Sequence, residues 1–415
     1  MQRETLAIVV GGGPAPGING VISSVTIKAI NLGKKVIGIT DGFKWLSRGI
    51  SDRILPLAVS DVSRIHTSGG SIIGTSRENP SGDSQKMANV VEILKKLDVG
   101  YLVTIGGDDT AFTASEVAKA VGKKIQVAHV PKTIDNDLPL PDNMPTFGFE
   151  TARHVGTKIV ENLMEDAKTI TRWYFVTTMG REAGHLALGI GKAAGATLAI
   201  IPEEFPKSDH IHLSTIADIL EGAIIKRRAM GRNDGVAVMA EGLAAKIGKD
   251  ELEKLAKLKK DEHGHIRLSE INLGKFLRNE VKKRLLERGI DMTIVKTNVG
   301  YEVRSAAPIP FDVEYTRNLG YGAVKFLLGG GSNAIIAYRS GKLAPIPFSE
   351  TIDPKTGRTR VRLVDINSES YEVAKAYMIR LKKEDFDDGE NMERLARAGN
   401  LTPEEFESRF RHIAM

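Results

Sequence analysis

The chain has 415 residues, of which 41% are hydrophobic and 27% charged, and its 58 basic against 52 acidic side chains give a formal net charge of +6. That composition is ordinary for a globular protein long enough to build two or three cores, and the modest positive charge suits phosphate-bearing small molecules better than a nucleic-acid surface. A cysteine count of 0 excludes disulfides, thiolate catalysis and cysteine-held metals, so any metal must sit on oxygen or histidine.

The first apolar run, Leu6 to Val10, predicts a buried strand, and it ends in Gly11-Gly12-Gly13-Pro14-Ala15-Pro16-Gly17-Ile18-Asn19. Glycines let backbone N–H groups approach an anion, and a helix over Gly17 to Leu32 would aim its positive end at it. The spacing is neither the dinucleotide fingerprint nor a Walker loop, so taken singly it is equally compatible with a tight turn that binds nothing. A strand is expected over 35–39. Tyr101 to Ile105 then runs into Gly106-Gly107-Asp108-Asp109-Thr110, and Ile125 to Val130 runs into Pro131-Lys132-Thr133-Ile134-Asp135-Asn136-Asp137. Substrates of open α/β sheets lie outside the carboxyl ends of the strands. Four carboxylates gathered there suit a metal ion and a phosphoryl group. A carboxylate two residues from another along an extended segment points the same way, which pairs Asp137 with Asp135.

Pro139, Pro141 and Pro145 break the pattern near residue 146. A helix from Phe149 to Lys168 follows, with further strands near 173–178, 197–201, 235–240, 293–299 and 334–338. Alternation of this kind implies βαβ units and parallel sheets. The expected architecture is α/β, with two lobes, each a mostly parallel sheet flanked by helices, and a charged helical C-terminal tail. The boundaries expected are 1–146 for a phosphoryl-donor lobe, onto which part of 305–370 packs back, 147–304 for an acceptor lobe, and 371–415 for the tail. Lys226-Arg227-Arg228, with Arg232, reads as a solvated helix end. His210-Ile211-His212 and His263-Gly264-His265 read as surface histidines, since no acidic ligand pattern accompanies them. Glu251 to Gly264 is expected to be an exposed excursion. No stretch approaches the roughly 18 apolar residues of a membrane span and no cleavable signal pattern opens the chain, so a cytoplasmic location is expected.

Five segments carry a family resemblance: GGGPAPGIN, GGDDT, PKTIDND, MGREAG (Met179 to Gly184) and GYEVRSAAPIPFD (Gly300 to Asp312). In that order they resemble 6-phosphofructokinases, specifically the pyrophosphate-dependent branch, and the resemblance runs from about residue 5 to about residue 380. It implies a phosphofructokinase-like fold and reversible transfer of a phosphoryl group from pyrophosphate to the 1-hydroxyl of fructose 6-phosphate, serving glycolysis or gluconeogenesis.

The family pattern assigns roles residue by residue. Asp135 matches the general base, Asp137 its partner and Asp108 the Mg2+ ligand, while Thr133 adds a hydroxyl to the sugar. Gly13, Arg77, Asp109, Thr110 and Lys132 fall at donor-binding positions. Lys132 and Arg181 also match groups that stabilise the transferring phosphoryl. Met179 and Gly180 would pack on the sugar, Glu241 would accept its hydroxyl hydrogens, and Tyr301 and Arg304 would meet its phosphate. Arg172 matches an arginine that reaches in from a neighbouring subunit, which implies an active site shared within a homodimer or homotetramer. Tyr301 stands where ATP-type enzymes carry histidine. Asp109 stands where ATP-using relatives carry glycine, so its carboxylate would collide with and repel the nucleotide's α-phosphate. Lys132 stands where many bacterial ATP-using relatives also carry glycine, and its ammonium would neutralise pyrophosphate. The alternative is an ATP-dependent 6-phosphofructokinase. An NAD or lipid kinase sharing GGDxT leaves MGREAG, Glu241 and GYEVR unexplained. A non-catalytic phosphate sensor has no need of a base beside a magnesium ligand.

Overall fold

A computed structural model describes residues 4–206, 210–248, 251, 272–351, 353 and 359–415. The expected excursion over Glu251 to Gly264 and the His263-Gly264-His265 pair lie, except for residue 251, outside the described residues. The chain divides into two compact units, one comprising Met1–Ala152 with Tyr301–Arg362 and the other Arg153–Gly300 with Leu363–Met415.

In the first unit the sheet is built on β1 (Thr5–Val10), β4 (Val99–Gly106) and β5 (Gln126–Thr133), each an apolar run buried along almost its whole length. With β2 (Lys35–Ile39), β3 (Ile54–Pro56), β6 (Phe147–Gly148), β11 (Ala334–Ile335) and β14 (Ile346–Pro347) they form an eight-stranded sheet of order β14-β11-β5-β4-β1-β2-β3, with β6 on β5. The central pairings are parallel, in the register Val9↔Thr104 and Val103↔Ala128. The edges β2/β3 and β11/β14 are antiparallel. Side-chain alternation splits the core in two. Leu6, Ile8 and Val10 pack under the helices Ile18–Asn31 and Pro310–Leu328, while Ala7 and Val9 pack under Ser84–Lys96 and Asp108–Val121. Both faces are therefore covered, which is why these strands read as continuous hydrophobic runs.

The unit boundary falls inside the helix Phe149–Ile170, three residues after its start. That start is fixed within the first unit by the buried Asp312. Its carboxylate accepts hydrogen bonds from the Gly148 and Thr151 N–H groups, both at 2.8 Å, and from Thr151 Oγ1 at 2.5 Å. An acid from a distant helix thus satisfies N–H groups that a helix start leaves unpaired.

In the second unit β7 (Trp173–Thr178), β8 (Leu198–Ile200), β9 (Gly235–Ala240) and β10 (Ile294–Val299) make an all-parallel sheet of order β10-β7-β9-β8. Trp173, Phe175, Ala237 and Met239 face the helices Leu213–Ala229 and Leu273–Glu287. The helical C-terminal residues, within 363–415, pack into this unit. Leu381, Phe386, Leu395, Phe406 and Phe410 bury themselves with Ile225. The fully buried Glu221 is clasped by Arg288 at 2.6 Å and by Arg409 of the last helix at 3.1 Å. The basic run also differs from a simply solvated helix end. Lys226 pairs with Asp385 at 2.6 Å, Arg228 donates to the Ala398 carbonyl at 3.1 Å, and Arg227 and Arg232 share Asp234. These basic side chains are tied down within the unit, as a residue-by-residue view of helix-end charge does not reveal. Among the described residues no helix is long and apolar enough to cross a membrane.

Candidate active site

The two acid-bearing loops leave neighbouring strands. Because β4 and β5 are parallel and paired up to Gly106↔Pro131, the residues that follow each strand emerge at the same sheet edge. The third loop comes from β1, whose Gly11 N–H donates to the Ile105 carbonyl at 2.8 Å. At Gly11 and Gly106 a Cβ would lie 2.5 and 2.3 Å from Thr110 Oγ1, so only glycines let the buried Thr110 side chain sit between the two loops. Asp108 and Asp109 form the first turn of the helix Asp108–Val121, with Asp108 half-buried and Asp109 exposed.

Lys132 is buried at the end of β5, and its Nζ donates to the Gly13 carbonyl in a short hydrogen bond. Burial lowers its pKa to about 8. The positive charges of Arg304 and Arg77 add to that effect, while Asp135 and Asp137 oppose it. Arg304 also stands beside the glycine loop, since a Cβ on Gly13 would lie 3.3 Å from its guanidinium. Gly13, Arg77, Lys132, Asp135, Asp137 and Arg304 thus form one electrostatic neighbourhood within the first unit.

The loop after Lys132 is not the extended segment expected from sequence. β5 stops at Thr133, and Asn136 has a left-handed backbone with φ 57°. The Asp135 N–H donates to Thr133 Oγ1 at 3.0 Å, Thr146 N–H to Asn136 Oδ1 at 3.0 Å, and Thr146 Oγ1 to the Thr133 carbonyl at 2.8 Å. Even so, Thr133, Asp135 and Asp137 are the half-exposed residues of the loop, and Lys132, Ile134 and Asn136 the buried ones. The acids meet through a turn. Asp137 is pushed up to about 7, first by burial and then by the negative charges of Asp135 and Asp108. Its Oδ1 is buried and accepts no hydrogen bond among the described residues.

A buried carboxylate oxygen without a donor among the described residues, near the carboxylates of Asp135 and Asp108, suits a cation held on hard oxygen ligands. Among the described residues no three histidine, aspartate or glutamate side chains are grouped so as to hold a metal by themselves. Mg2+ is commonly bound by one or two carboxylates, with substrate phosphates and water completing its shell, so Asp108 and its neighbours fit that ion.

Tyr301 opens the short helix Tyr301–Arg304 and is 73% exposed, with the Arg304 guanidinium 4.6 Å from its ring centroid. The remaining predicted residues belong to the second unit. Met179, Gly180 and Arg181 follow β7, and Glu241 follows β9, at the carboxyl end of that sheet. Gly180 has φ 128° and its carbonyl accepts the Gly242 N–H at 3.0 Å, which locks the two loops side by side. Arg181 is exposed and Glu241 half-buried. Arg172 is set apart from these. It precedes β7, at the opposite end of a six-residue strand that spans roughly 20 Å. Its Nε is buried and makes no hydrogen bond among the described residues, close to the Tyr174 hydroxyl that donates to Asp166 at 2.5 Å. His210 and His212 are exposed, and His212 faces Glu251 at 3.6 Å, in keeping with surface histidines.

Sequence reasoning passed over His129, in the apolar run before Lys132. The ring is fully buried, with Nδ1 2.8 Å from Thr104 Oγ1 and Nε2 3.0 Å from the Gly106 carbonyl, the last residue of β4. A hydroxyl donating to Nδ1 and an Nε2–H donating to the carbonyl satisfy a neutral ring. Burial lowers its pKa to about 3, the Gly106 bond opposes that shift, and Lys132 adds to it. Because the folded pKa lies below the unfolded value of about 6.5, this contribution to stability is complete above pH 6.5. It is lost as pH falls towards 3, at up to about 1.4 kcal/mol per pH unit. His129→Gln is therefore expected to unfold in urea with a shallower acid dependence between pH 6.5 and 4 than wild type. An identical slope in the two proteins would mean that His129 is not held neutral.

The chain matches the phosphofructokinase family model over residues 5–327. It is 56% identical over 416 residues to the pyrophosphate–fructose 6-phosphate 1-phosphotransferase of Thermotoga maritima, covering 99% of both chains. To the enzyme of that name from Naegleria fowleri it is 49% identical over 99% of this chain and 95% of the other. Among solved structures it is similar to the pyrophosphate-dependent phosphofructokinase of Marinobacter aquaeolei, with a TM-score of 0.67, 19% identity, and coverage of 90% of this chain and 91% of that one. At that identity the likeness concerns the fold.

Proposed function

The chain belongs to the phosphofructokinase family, and from that premise we propose that it transfers a phosphoryl group from pyrophosphate to the 1-hydroxyl of fructose 6-phosphate. The products are fructose 1,6-bisphosphate and phosphate. Pyrophosphate and fructose 1,6-bisphosphate hold phosphoryl groups of comparable transfer potential, so the reaction runs in either direction.

A sugar hydroxyl is a weak nucleophile, and Asp135 accepts its proton as the O1–P bond forms and the bridging P–O bond of pyrophosphate breaks. The leaving phosphate departs with the electron pair of that bond. Asp137 supports Asp135, and Thr133 adds a hydroxyl to the sugar. Lys132 and Arg181 face the negative charge that spreads over the transferring phosphoryl and the leaving group. Gly13, Arg77 and Thr110 belong to the donor site, where Asp109 excludes a nucleotide. Asp108 would hold Mg2+, which would neutralise charge on the donor oxygens. Met179, Gly180 and Glu241 hold the sugar, and Tyr301, Arg304 and a neighbouring subunit's copy of Arg172 its phosphate. That last role makes the enzyme a homodimer or homotetramer with a shared site, and a glycolytic reaction fits a location in the cytoplasm. The shared site agrees with the separation of Arg172 from Arg181 along β7 within one chain.

The observation that carries the reading is the buried Lys132 ammonium, which donates to the Gly13 carbonyl and feels the charges of Asp135 and Asp137. Initial rates with Mg2+ and fructose 6-phosphate, supplying pyrophosphate, ATP or tripolyphosphate in turn, test it. Turnover with pyrophosphate well above that with ATP is expected. Equal or better turnover with ATP would favour the ATP-dependent alternative.

A further inference from the structure

One short segment, far along the chain from both acid-bearing loops, hydrogen-bonds to each of them. Thr359 Oγ1 donates to the Asp108 carbonyl at 3.3 Å. Three residues on, the Arg362 N–H donates to the Asp137 carbonyl at 2.7 Å. The Arg362 side chain then closes on the same loop. Nε donates to the Asn136 carbonyl at 3.0 Å, Nη1 to the Met144 carbonyl at 3.0 Å, and Nη2 to Asn136 Oδ1.

We propose that Arg362 is a positioning residue for phosphoryl transfer: through Asn136 it fixes the turn that carries Asp135 and Asp137, and residues 359–362 hold that turn in register with Asp108. The proposal rests on the catalytic reading of Asp135 given above. Asn136 is the residue between the two acids, and its φ of 57° lies in the left-handed region, sparsely populated by side-chain-bearing residues although asparagine tolerates it better than most. Arg362 grips both its main-chain and side-chain oxygens. A relaxed turn would move Asp135 and Asp137 relative to each other, and displacements of about 1 Å in a reacting group cost roughly a hundredfold in rate. The residue type fits the task. A planar guanidinium reaches three acceptors from fixed directions, whereas a lysine offers one rotating ammonium. Arg362 is itself partly buried, which lowers its pKa, and the nearby Asp137 counters that shift. It touches neither donor nor acceptor in this scheme, so its effect must pass through the loop.

The test compares Arg362→Lys, which keeps the charge and loses the fork, with Arg362→Met. Two readouts are taken on the full-length protein: amide hydrogen exchange of the peptide spanning Thr133 to Leu138, and steady-state rates with pyrophosphate. Both variants are expected to exchange that peptide at least about tenfold faster while the amides of β7 and β9 keep wild-type protection. They should lose about ten- to a hundredfold in kcat with KM for fructose 6-phosphate nearly unchanged. Asn136→Gly added to Arg362→Met should cost less than the product of the two single effects, because both act on the same turn. Unchanged loop exchange in both variants, or a kcat loss that only follows global exchange and a lower melting temperature, would overturn the proposal. If wild type proves inactive with pyrophosphate while Arg362→Lys still loosens the loop, the hold on the turn stands. Its role in phosphoryl transfer then falls with the catalytic reading.

Discussion

Replacing Asp135 with serine is expected to lower kcat with pyrophosphate and fructose 6-phosphate by a factor of about 10²–10⁴, the usual worth of a positioned general base. Binding of magnesium pyrophosphate, followed by titration calorimetry, should survive. The two outcomes separate because the side chains around the donor are distinct from the base. Lys132 is anchored on the Gly13 carbonyl, and Arg304 stands against Gly13, so neither depends on Asp135 for its place. The loop itself should keep its shape, since serine retains the backbone N–H that donates to Thr133 Oγ1 and leaves the bond from Thr146 N–H to Asn136 Oδ1 in place. Removing one acid also relieves its neighbour. Asp137 is held at about 7 partly by the charge of Asp135, so its pKa in the serine variant should fall. Wild-type turnover in the variant would remove Asp135 as the base, and a parallel loss of donor binding would make it a binding group instead.

What the sequence reveals depends on how local the determining physics is. The central strands were legible because a strand covered on both faces is an unbroken apolar run, as Leu6 to Val10 and Tyr101 to Ile105 are. The short strands β3, β6 and β14, two or three residues each, are not legible in the sequence, since segments so short carry no periodicity and exist only by pairing with an established sheet, whereas β11 falls within the apolar run expected over 334–338. The charged helical C-terminal tail is legible, but not its packing, because Glu221, which pairs with Arg409, lies 188 residues away from it. In hindsight Phe406 and Phe410, four apart on one helix, announce a buried face.

The site shows the same division. Acids directly after β4 and β5 could be placed at one sheet edge from strand order alone, and the motifs supplied their identities. The left-handed Asn136 could not be read from a segment that continues a strand. Nor could His129, because a single imidazole in an apolar run has the pattern of any core residue until its two partners are known. Arg362 lies 226 residues from the asparagine it grips, and no local pattern in its own neighbourhood points there.

Donor choice is the second large effect. Lys132→Met is expected to cost about 10²–10³ in kcat/KM for pyrophosphate, comparable to removing one preorganised group that faces developing charge. The size follows from the site's low polarity. Lys132 is buried, so its charge acts on the donor with little screening by water, and methionine keeps its length while supplying no charge. The same burial sets a pH limit. With a pKa lowered to about 8, the ammonium is lost as pH rises through that value, so pyrophosphate turnover should decline on the alkaline side from about pH 8. Arginine at this position would stay charged there, and whatever activity Lys132→Arg retains should not share that decline. In the proposed scheme Asp109 acts by exclusion. It is exposed in the first turn of the helix Asp108–Val121, where the backbone N–H groups would otherwise attract a nucleotide phosphate. Asp109→Gly should therefore raise ATP turnover while leaving pyrophosphate turnover within a few-fold of wild type, and the double variant with Lys132→Gly should favour ATP outright. An ATP rate unmoved by Asp109→Gly would mean that the carboxylate is not the barrier. Lys132 alone would then determine the donor.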